Sequence, residues 1–364
     1  MVLLYISCGV ILINCSFYLY FSRFSFFKEP PDKTNVSFPV SVIVCAKNEG
    51  KSLQKHIPLW LNQTYPKFQL VLINDASVDD TLEIFNHFAQ QDSRIKVVDV
   101  KNNESFWGNK KYALTLGIKA AAHQHLIFTD ADCAPASPHW IQLMANKFSE
   151  KNQLVLGYGG YYKEKGLLNK LIRFETVLTA LQYFSYALNG NPYMGVGRNL
   201  AYTTSLYYEN KGFMSHIKIP SGDDDLFVNE AANASNTTIC ISPEAYTYSA
   251  PKYTFKDWVQ QKKRHYTTSK YYKFKHKFSL GLFHLATILF WVFASLALTT
   301  TYWQIALGII AFRLLFQYFV YGKAAQRLKE KDLILLIPLL EIFLIFIQLH
   351  IFISNKESSN IKWK

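Results

Sequence analysis

The 364-residue chain is 50% hydrophobic and 16% aromatic and carries a net charge of +13. Its apolar residues collect at the two ends, which indicates membrane-spanning segments and argues against a wholly soluble protein. The basic charge favours anionic ligands and an anionic membrane surface, and nucleic acid is not an expected partner because no DNA- or RNA-binding signature accompanies it.

Residues 1–22 are predicted to form a transmembrane helix, because the stretch is apolar, uncharged and long enough to span a bilayer. Arg23 and Lys28 follow it, so the positive-inside rule puts the N-terminus outside the cell membrane and the next segment in the cytosol. Residues 23–38, with the pair Pro30-Pro31, are predicted to be a stiff linker.

Between residues 39 and 250, apolar strand runs alternate with helical patterns, which predicts a mostly parallel α/β sheet. In such sheets ligands bind beyond the carboxyl ends of the strands. A further helix is predicted over Leu167–Leu188, either packed on the core or lying in the membrane interface. The other elements predicted by the pattern are strands Val40–Cys45, Phe68–Asn74, Ile95–Val100 and Leu126–Thr129 and helices Lys51–Asn62, Asp79–Gln90, Lys110–Ala122 and Leu226–Ala232.

Residues 251–277 carry nine Lys/Arg and one acid, interleaved with aromatic residues, which is typical of an interfacial helix on anionic lipid. Residues 278–355 hold three apolar runs, and 356–364 are a polar tail. The runs are read as spans near Phe278–Thr300, Tyr302–Tyr321 and Leu333–Ile353, and a re-entrant hairpin over Tyr302–Ile353 remains open. The basic loop between the last two runs is expected in the cytosol, which leaves the C-terminus outside.

Two charged residues interrupt these runs. Arg313 and Glu341 each lie ~12 Å deep from the cytosolic end of their spans at ~1.5 Å rise per residue. Because an unpaired charge at that depth is costly, we expect the two to form an ion pair. The alternative is a snorkelling arginine and a protonated glutamic acid.

The run Phe128-Thr129-Asp130-Ala131-Asp132 puts two carboxylates at the end of an apolar strand. Alternate strand residues point to the same side, so Asp130 and Asp132 are expected to face one site. Two converging acids suit a hard divalent cation that also holds a diphosphate. A lone Asp-x-Asp is a weak signal, and its weight comes from the motifs around it.

Four other polar motifs follow in chain order. They are residues 44–50 after the first strand, 71–81 around Asp75 after the second, Gly108-Asn109-Lys110-Lys111, and Ser221-Gly222-Asp223-Asp224-Asp225. A further basic stretch, Gln261 to Tyr266, comes after them. Lysine amines in such a place suit a phosphate, and an acid after a strand suits a nucleobase N–H.

This ordered set, from about Pro39 to Tyr266, resembles family 2 glycosyltransferases, the inverting enzymes with the GT-A fold. The resemblance implies a Rossmann-like GT-A catalytic domain over residues 39–250, with one N-terminal and about three C-terminal transmembrane helices. It implies a UDP- or GDP-sugar donor, Mg²⁺ or Mn²⁺, and a multi-pass protein of the cell membrane whose catalytic domain faces the cytoplasm.

The resemblance also implies roles for individual residues. The nucleotide would be held by Ala46, Asn48, Glu49, Asp75, Lys110 and Asp130. Asp132 would be the direct metal ligand, with Asp130 beside it. Asp224 aligns best with the catalytic base, and Asp223 and Asp225 are its candidate neighbours. Near the acceptor and the diphosphate, the resemblance implies Gln261, Arg264 and His265.

Two departures from the family pattern bear on the product. His265 stands where polysaccharide synthases of the family have the tryptophan on which an acceptor sugar stacks, and the acid motif is Gly-Asp-Asp-Asp rather than Thr-Glu-Asp. Both favour single transfer to a membrane-associated acceptor, most simply a lipid, over polymer synthesis. The alternatives are a processive polysaccharide synthase subunit, a catalytically silent nucleotide-binding scaffold, and, on Arg313 and Glu341 alone, a transporter.

Overall fold

A computed structural model of the chain describes residues 2–30, 36–101 and 110–355. Its strands in chain order are β1 Val40–Ala46, β2 Phe68–Asp75, β3 Ile95–Val100, β4 His125–Asp130, β5 Cys133–Pro135, β6 Leu154–Leu156, β7 Gly159–Tyr161, β8 Leu200–Thr203, β9 Thr237–Ile239 and β10 Thr247–Ser249. Its α-helices are α1 Val2–Ser25, α2 Gly50–Leu61, α3 Thr81–Gln91, α4 Lys110–Ala120, α5 Trp140–Ala145, α6 Leu167–Leu188, α7 Thr204–Glu209, α8 Asp225–Ala231, α9 Phe255–Ser269, α10 Phe274–Leu298, α11 Trp303–Arg327 and α12 Ile337–Asn355.

Seven strands form the main sheet in the order β3-β2-β1-β4-β8-β6-β9. The first four are parallel, and β8 runs antiparallel to both β4 and β6. A small sheet of β5, β10 and β7 lies beside it. The mostly parallel α/β sheet predicted from the sequence is therefore confirmed, and the antiparallel β8 is an addition that its short run did not reveal.

Both faces of the parallel strands are covered, which is why they read as continuous apolar runs. Ile43 and Ile73 face α4, whereas Val42 and Leu72 belong to a second core cluster with α2 and α3. Helix α4 lies very close to the sheet, since a Cβ on Gly117 would be 2.1 Å from Ile73 Cδ1. This packing brings the first turn of α4 to the carboxyl ends of the strands.

Helix α6 has the predicted bounds and is packed inside the protein, which favours the core interpretation over the interfacial one. Its Ser185 Oγ donates to the Phe21 carbonyl at 3.2 Å, and Phe184 stacks on Phe24 at 4.9 Å. The catalytic-type sheet and the N-terminal apolar helix are thereby joined through α6.

Four helices are long and apolar enough to cross a membrane, over Leu3–Ser25, Phe274–Leu298, Trp303–Arg327 and Lys331–Ser354. Helices α1, α10 and α11 pack together, whereas α12 packs mainly on α6 and α9. The basic segment predicted over 251–277 is divided, because α9 ends at Ser269 and α10 begins at Phe274.

The expected intramembrane ion pair is confirmed. The Arg313 guanidinium donates to both carboxylate oxygens of Glu341, at 2.8 and 3.0 Å. Gln317 and Trp291 complete the hydrogen bonds around that carboxylate, at 2.6 and 2.9 Å. Because every partner is inside the helix bundle, the pair replaces the hydration that lipid cannot give.

Candidate functional site

The polar residues singled out in the sequence meet at one edge of the main sheet. The parallel register sets Cys45 opposite both Ile73 and Asp130, so the strand ends lie side by side. Asp75, at the end of β2, is buried and lies 3.8 Å from the Lys47 ammonium. Strand order therefore gathers the first, second and fourth motifs at one place, as in other parallel sheets.

The turns after β1 and β2 interlock. The Asn48 Oδ1 accepts from the Val78 N–H at 2.9 Å, and the Asn48 N–H donates to Ser77 Oγ at 3.0 Å. Asn48 and Ala76 both have positive φ, 56° and 49°. A left-handed alanine is uncommon and is held here by the surrounding turn, which makes the two loops one unit.

Glu49 and Gly50 begin α2 against the second loop. The Glu49 N–H donates to Thr81 Oγ1 at 3.0 Å, and a Cβ on Gly50 would fall 1.7 Å from Asp80 Oδ1, so only glycine fits there. Ala46 is buried in the core behind this turn. Its predicted nucleotide contact is thus restricted to its backbone.

Lys110 joins the two halves of the site. Its ammonium lies 2.8 Å from Asp130 Oδ1 and 2.9 Å from Asp223 Oδ2. Burial opposes the charged amine, but the two carboxylates outweigh it and hold the pKa of Lys110 well above its usual value. Burial likewise opposes ionisation of Asp130, yet Lys110, Arg198 and Arg264 keep its pKa below the ordinary value. The neighbouring Gly108 and Asn109 of the third motif lie outside the described residues.

Asp130, Asp132 and Cys133 offer ligand atoms within 4.8 Å of one another. Asp132 is exposed and Cys133 is buried, and burial raises the pKa of the Cys133 thiol well above its usual value, so the sulfur stays protonated. Two carboxylates beside a protonated thiol fit a hard cation that takes oxygen ligands. The residues present are therefore suited to Mg²⁺ or Mn²⁺, with Asp132 as the accessible ligand.

Asp224 is the N-cap of α8. Its Oδ2 accepts from the Gly197 N–H at 2.7 Å, and its Oδ1 accepts from the Asp225 N–H at 2.8 Å. Burial, with the charges of Asp223 and Asp225, raises the pKa of Asp224 to about 7. A carboxyl that titrates near neutrality is suited to take a proton from a hydroxyl.

The three acids of the motif have different surroundings. Asp223 is ion-paired to Lys110, as described above. Asp225 is buried, and its Oδ2 accepts from Thr268 Oγ1 at 2.5 Å and from the Tyr272 hydroxyl at 2.6 Å. Its Oδ1 accepts from the Leu226 N–H at 2.8 Å. Asp225 thus ties α8 to α9, which leaves Asp224 as the acid with proton-accepting capacity.

Helix α9 carries Gln261, Arg264 and His265 along the face that reaches the site, one turn before Thr268. Arg264 is close enough to stabilise the Asp130 carboxylate, as its effect on that pKa shows. His265 is exposed and Gln261 is half-buried. The contact of Thr268 with Asp225 fixes this helix against the acid motif.

Arg198 belongs to the site although its side chain was not predicted to. Its guanidinium lies 4.3 Å from the centre of the Tyr161 ring and donates to the Gly160 carbonyl at 2.9 Å. It also favours the charged form of Asp130. A basic residue directly after the glycines of Gly195-Val-Gly197 was the available signal, and it indicates a cation beside a close backbone approach.

Comparisons with known proteins agree with this arrangement. A model described as glycosyl transferase family 2 matches residues 41–208, and one described as glycosyl transferase family group 2 matches residues 125–346. An uncharacterized glycosyltransferase of Haemophilus influenzae is 31% identical over 42% of this chain and 44% of its own length. The UDP-Glc:alpha-D-GlcNAc-diphosphoundecaprenol beta-1,3-glucosyltransferase WfaP of Escherichia coli is 29% identical over 35% of this chain and 47% of its own length. The match thus spans less than half the length of either curated relative.

Among solved structures, the mannosyltransferase PcManGT from Pyrobaculum calidifontis, in complex with GDP-Man and Mn²⁺, superposes with a TM-score of 0.58 and 15% identity. The alignment covers 94% of this chain and 97% of that one. At this identity the likeness shows the fold, which is GT-A.

Proposed function

Because this chain belongs to glycosyltransferase family 2, we propose that it transfers a sugar, with inversion, from a UDP- or GDP-sugar to a lipid acceptor at the membrane surface. One observation carries the proposal. Lys110 contacts Asp130, on the metal and diphosphate side, and also Asp223, which directly precedes the candidate base Asp224. The donor's leaving group and the acceptor's proton would therefore be handled within one small cluster.

The residues have separable tasks in this reaction. Asp132 and Asp130 would hold a divalent cation, which when bound neutralises charge on the diphosphate. Lys110, Arg198 and Arg264 add positive charge where the leaving group becomes more negative. Asp224 accepts the proton of the acceptor hydroxyl as that oxygen attacks the anomeric carbon from the side opposite the diphosphate, which inverts the configuration.

A lipid acceptor is supported by the surface beside the site. Between α9 and α10, the side chains of Tyr271, Phe274 and Phe278 are 51%, 78% and 61% exposed among several lysines. Aromatic and basic side chains together favour an anionic lipid interface. The WfaP relative, whose name gives a lipid-diphosphate acceptor, adds support for this class of substrate.

The proposed topology follows from charge and length. The four apolar helices would cross the cell membrane, and the basic residues that follow α1 and end α11 would keep the catalytic domain on the cytoplasmic face.

The proposal is tested by release of nucleoside diphosphate from a panel of UDP- and GDP-sugars, using purified protein with membrane lipid extract and Mn²⁺ or Mg²⁺. We expect release with one donor, dependent on lipid and metal and lost in Asp132→Ala and Asp224→Ala. Transfer to water-soluble acceptors with none to lipid would overturn the lipid acceptor. Ladders of long products on a gel would favour a processive synthase, and nucleotide binding without turnover would favour a scaffold.

A further inference from the structure

Lys111, next to Lys110 in the first turn of α4, is buried and lies against a loop instead of a carboxylate pair. Its ammonium donates to the backbone carbonyls of His216, Ile219 and Ser221, at 2.7, 2.9 and 2.7 Å. An ammonium group has three protons, so each one has a carbonyl acceptor here. A charged side chain is 1% exposed in a protein only when it is bonded in this way.

The loop that Lys111 holds leads directly into the acid motif. It contains a short 3-10 turn, Met214–His216, and runs from there to Gly222 without a strand or helix. Gly222 has φ of 94°, and a Cβ there would lie 2.6 Å from Leu226 Cδ1. With so little regular structure, the path of this segment into Asp223 depends on what fixes its carbonyls.

We propose that Lys111 is a positioning residue for the catalytic acids: by fixing the loop of residues 216–221, it sets Asp223 against Lys110 and Asp224 against the Gly197 N–H. This inference rests on the proposed function. The two adjacent lysines divide the work, because Lys110 bonds the acids themselves and Lys111 bonds the backbone that carries them. The first turn of α4 thereby connects the diphosphate side of the site to the proton-accepting side.

The role has a consequence for pH. Burial lowers the pKa of Lys111 to about 8, even though nearby carboxylates favour its charged form. Above that pH the amine loses a proton, and one of the three carbonyls loses its donor. Burial and Lys111 lower the pKa of His216, so its ring stays neutral in this range. The titratable groups that face Lys111 are Asp223, Asp224, Asp225, Glu230 and His216.

The test compares Lys111→Met, Lys111→Arg and, as a matched control on an exposed position of the same helix, Lys119→Met. We expect Lys111→Met to lower kcat at least tenfold while the affinity for nucleoside diphosphate stays within twofold, since Lys111 bonds no group on the nucleotide side. Lys111→Arg should recover part of kcat, and it should abolish the loss of activity that the wild type shows as pH rises through about 8. Wild-type kcat in Lys111→Met, or an unchanged high-pH limb in Lys111→Arg, would overturn the proposal.

A second readout is independent of catalysis and separates this inference from the proposed function. Lys218 is exposed within the held loop, so trypsin cleavage there reports how often the loop opens. Cleavage should be faster in Lys111→Met than in the Lys119→Met control at each pH. It should also accelerate above about pH 8 in the wild type but not in Lys111→Arg. Equal cleavage in all variants sinks the positioning role, whether or not any sugar donor is turned over.

Discussion

Two clusters of buried charge lie in this molecule, and they are built differently. In the membrane-type bundle, each Glu341 oxygen accepts two hydrogen bonds, one from Arg313 and one from either Gln317 or Trp291. Arg313 is 0% exposed. One cation faces one anion, and the neutral neighbours complete the bonding, so the bundle cluster has no capacity left for a ligand or a proton.

At the strand ends, acids outnumber the lysine that joins them. Lys110 is shared by Asp130 and Asp223, and Asp224, within the described part of the chain, is bonded by backbone N–H groups and by no cation. The result is a carboxyl with a pKa of about 7 beside an exposed Asp132. The difference teaches that a closed cluster holds helices together, whereas an under-neutralised one retains acid–base and metal-binding capacity.

The largest effect should come from Asp224→Asn. Removing the proton acceptor should lower kcat/KM by about 10²–10⁴-fold, the usual contribution of a general base. Asparagine is also a good N-cap, so the start of α8 and the fold should be preserved. Turnover is measured by nucleoside diphosphate release, and nucleotide affinity by calorimetry.

The control for that variant is Glu209→Gln, an exposed acid at the end of α7. It should leave kcat/KM unchanged. Near wild-type turnover by Asp224→Asn would remove the functional half of the contrast between the two clusters.

Breaking the bundle cluster should affect stability rather than chemistry. Arg313→Leu leaves the Glu341 carboxylate buried without its cation, which typically costs about 3–5 kcal/mol. The double variant Arg313→Leu/Glu341→Leu should be much closer to wild type, because no charge is left buried. Unfolding in detergent, analysed as a double-mutant cycle, measures the coupling.

Lys323→Leu, at an exposed position of α11, is the matched control and should change the free energy of unfolding little. A loss of turnover per folded molecule in Arg313→Leu would contradict a purely structural role for the bundle cluster.

The sequence predicted the parts of both clusters whose signal is local. Arg313 and Glu341 were paired because each is a charge inside an apolar run at similar depth. Asp130 and Asp132 were assigned to one site because strand alternation gives them a common side. The strands and α6 were found from apolar runs that bury both faces or one stripe of an element.

The contacts that set the chemistry were not predictable in this way, because they join residues far apart in sequence. The Lys110 bridge to Asp223, the Arg198 guanidinium beside Asp130, and the bonds from Thr268 and Tyr272 to Asp225 all depend on the tertiary arrangement. Three consecutive aspartates look alike in a sequence, and only their partners distinguish a base from a structural link. The packing of α12 on α9, rather than mainly on α11, was likewise invisible to hydropathy.

Asp132→Asn should sharpen the metal side of the contrast. Loss of an accessible ligand oxygen should raise the concentration of Mn²⁺ or Mg²⁺ needed for half-maximal activity by at least about tenfold, since changes even around a metal ligand commonly cost that much. Titration of activity with metal after chelation by EDTA measures it. Glu83→Gln, an exposed acid in α3, should titrate as wild type does, and an identical curve for Asp132→Asn would place the cation elsewhere.

The smallest effect we predict is a shift of the acidic limb of the pH profile. Because the base must be ionised and the pKa of Asp224 is about 7, kcat/KM should fall about tenfold per pH unit below that value. Part of that raised pKa comes from the charge of Asp223, so Asp223→Asn should move the limb to lower pH. Asp223 also bonds Lys110, so absolute activity should fall in the variant, but the midpoint of the limb is independent of that loss. A midpoint near the ordinary aspartate range in the wild type would mean that the strand-end cluster is as well neutralised as the bundle cluster, and the distinction between them would fail.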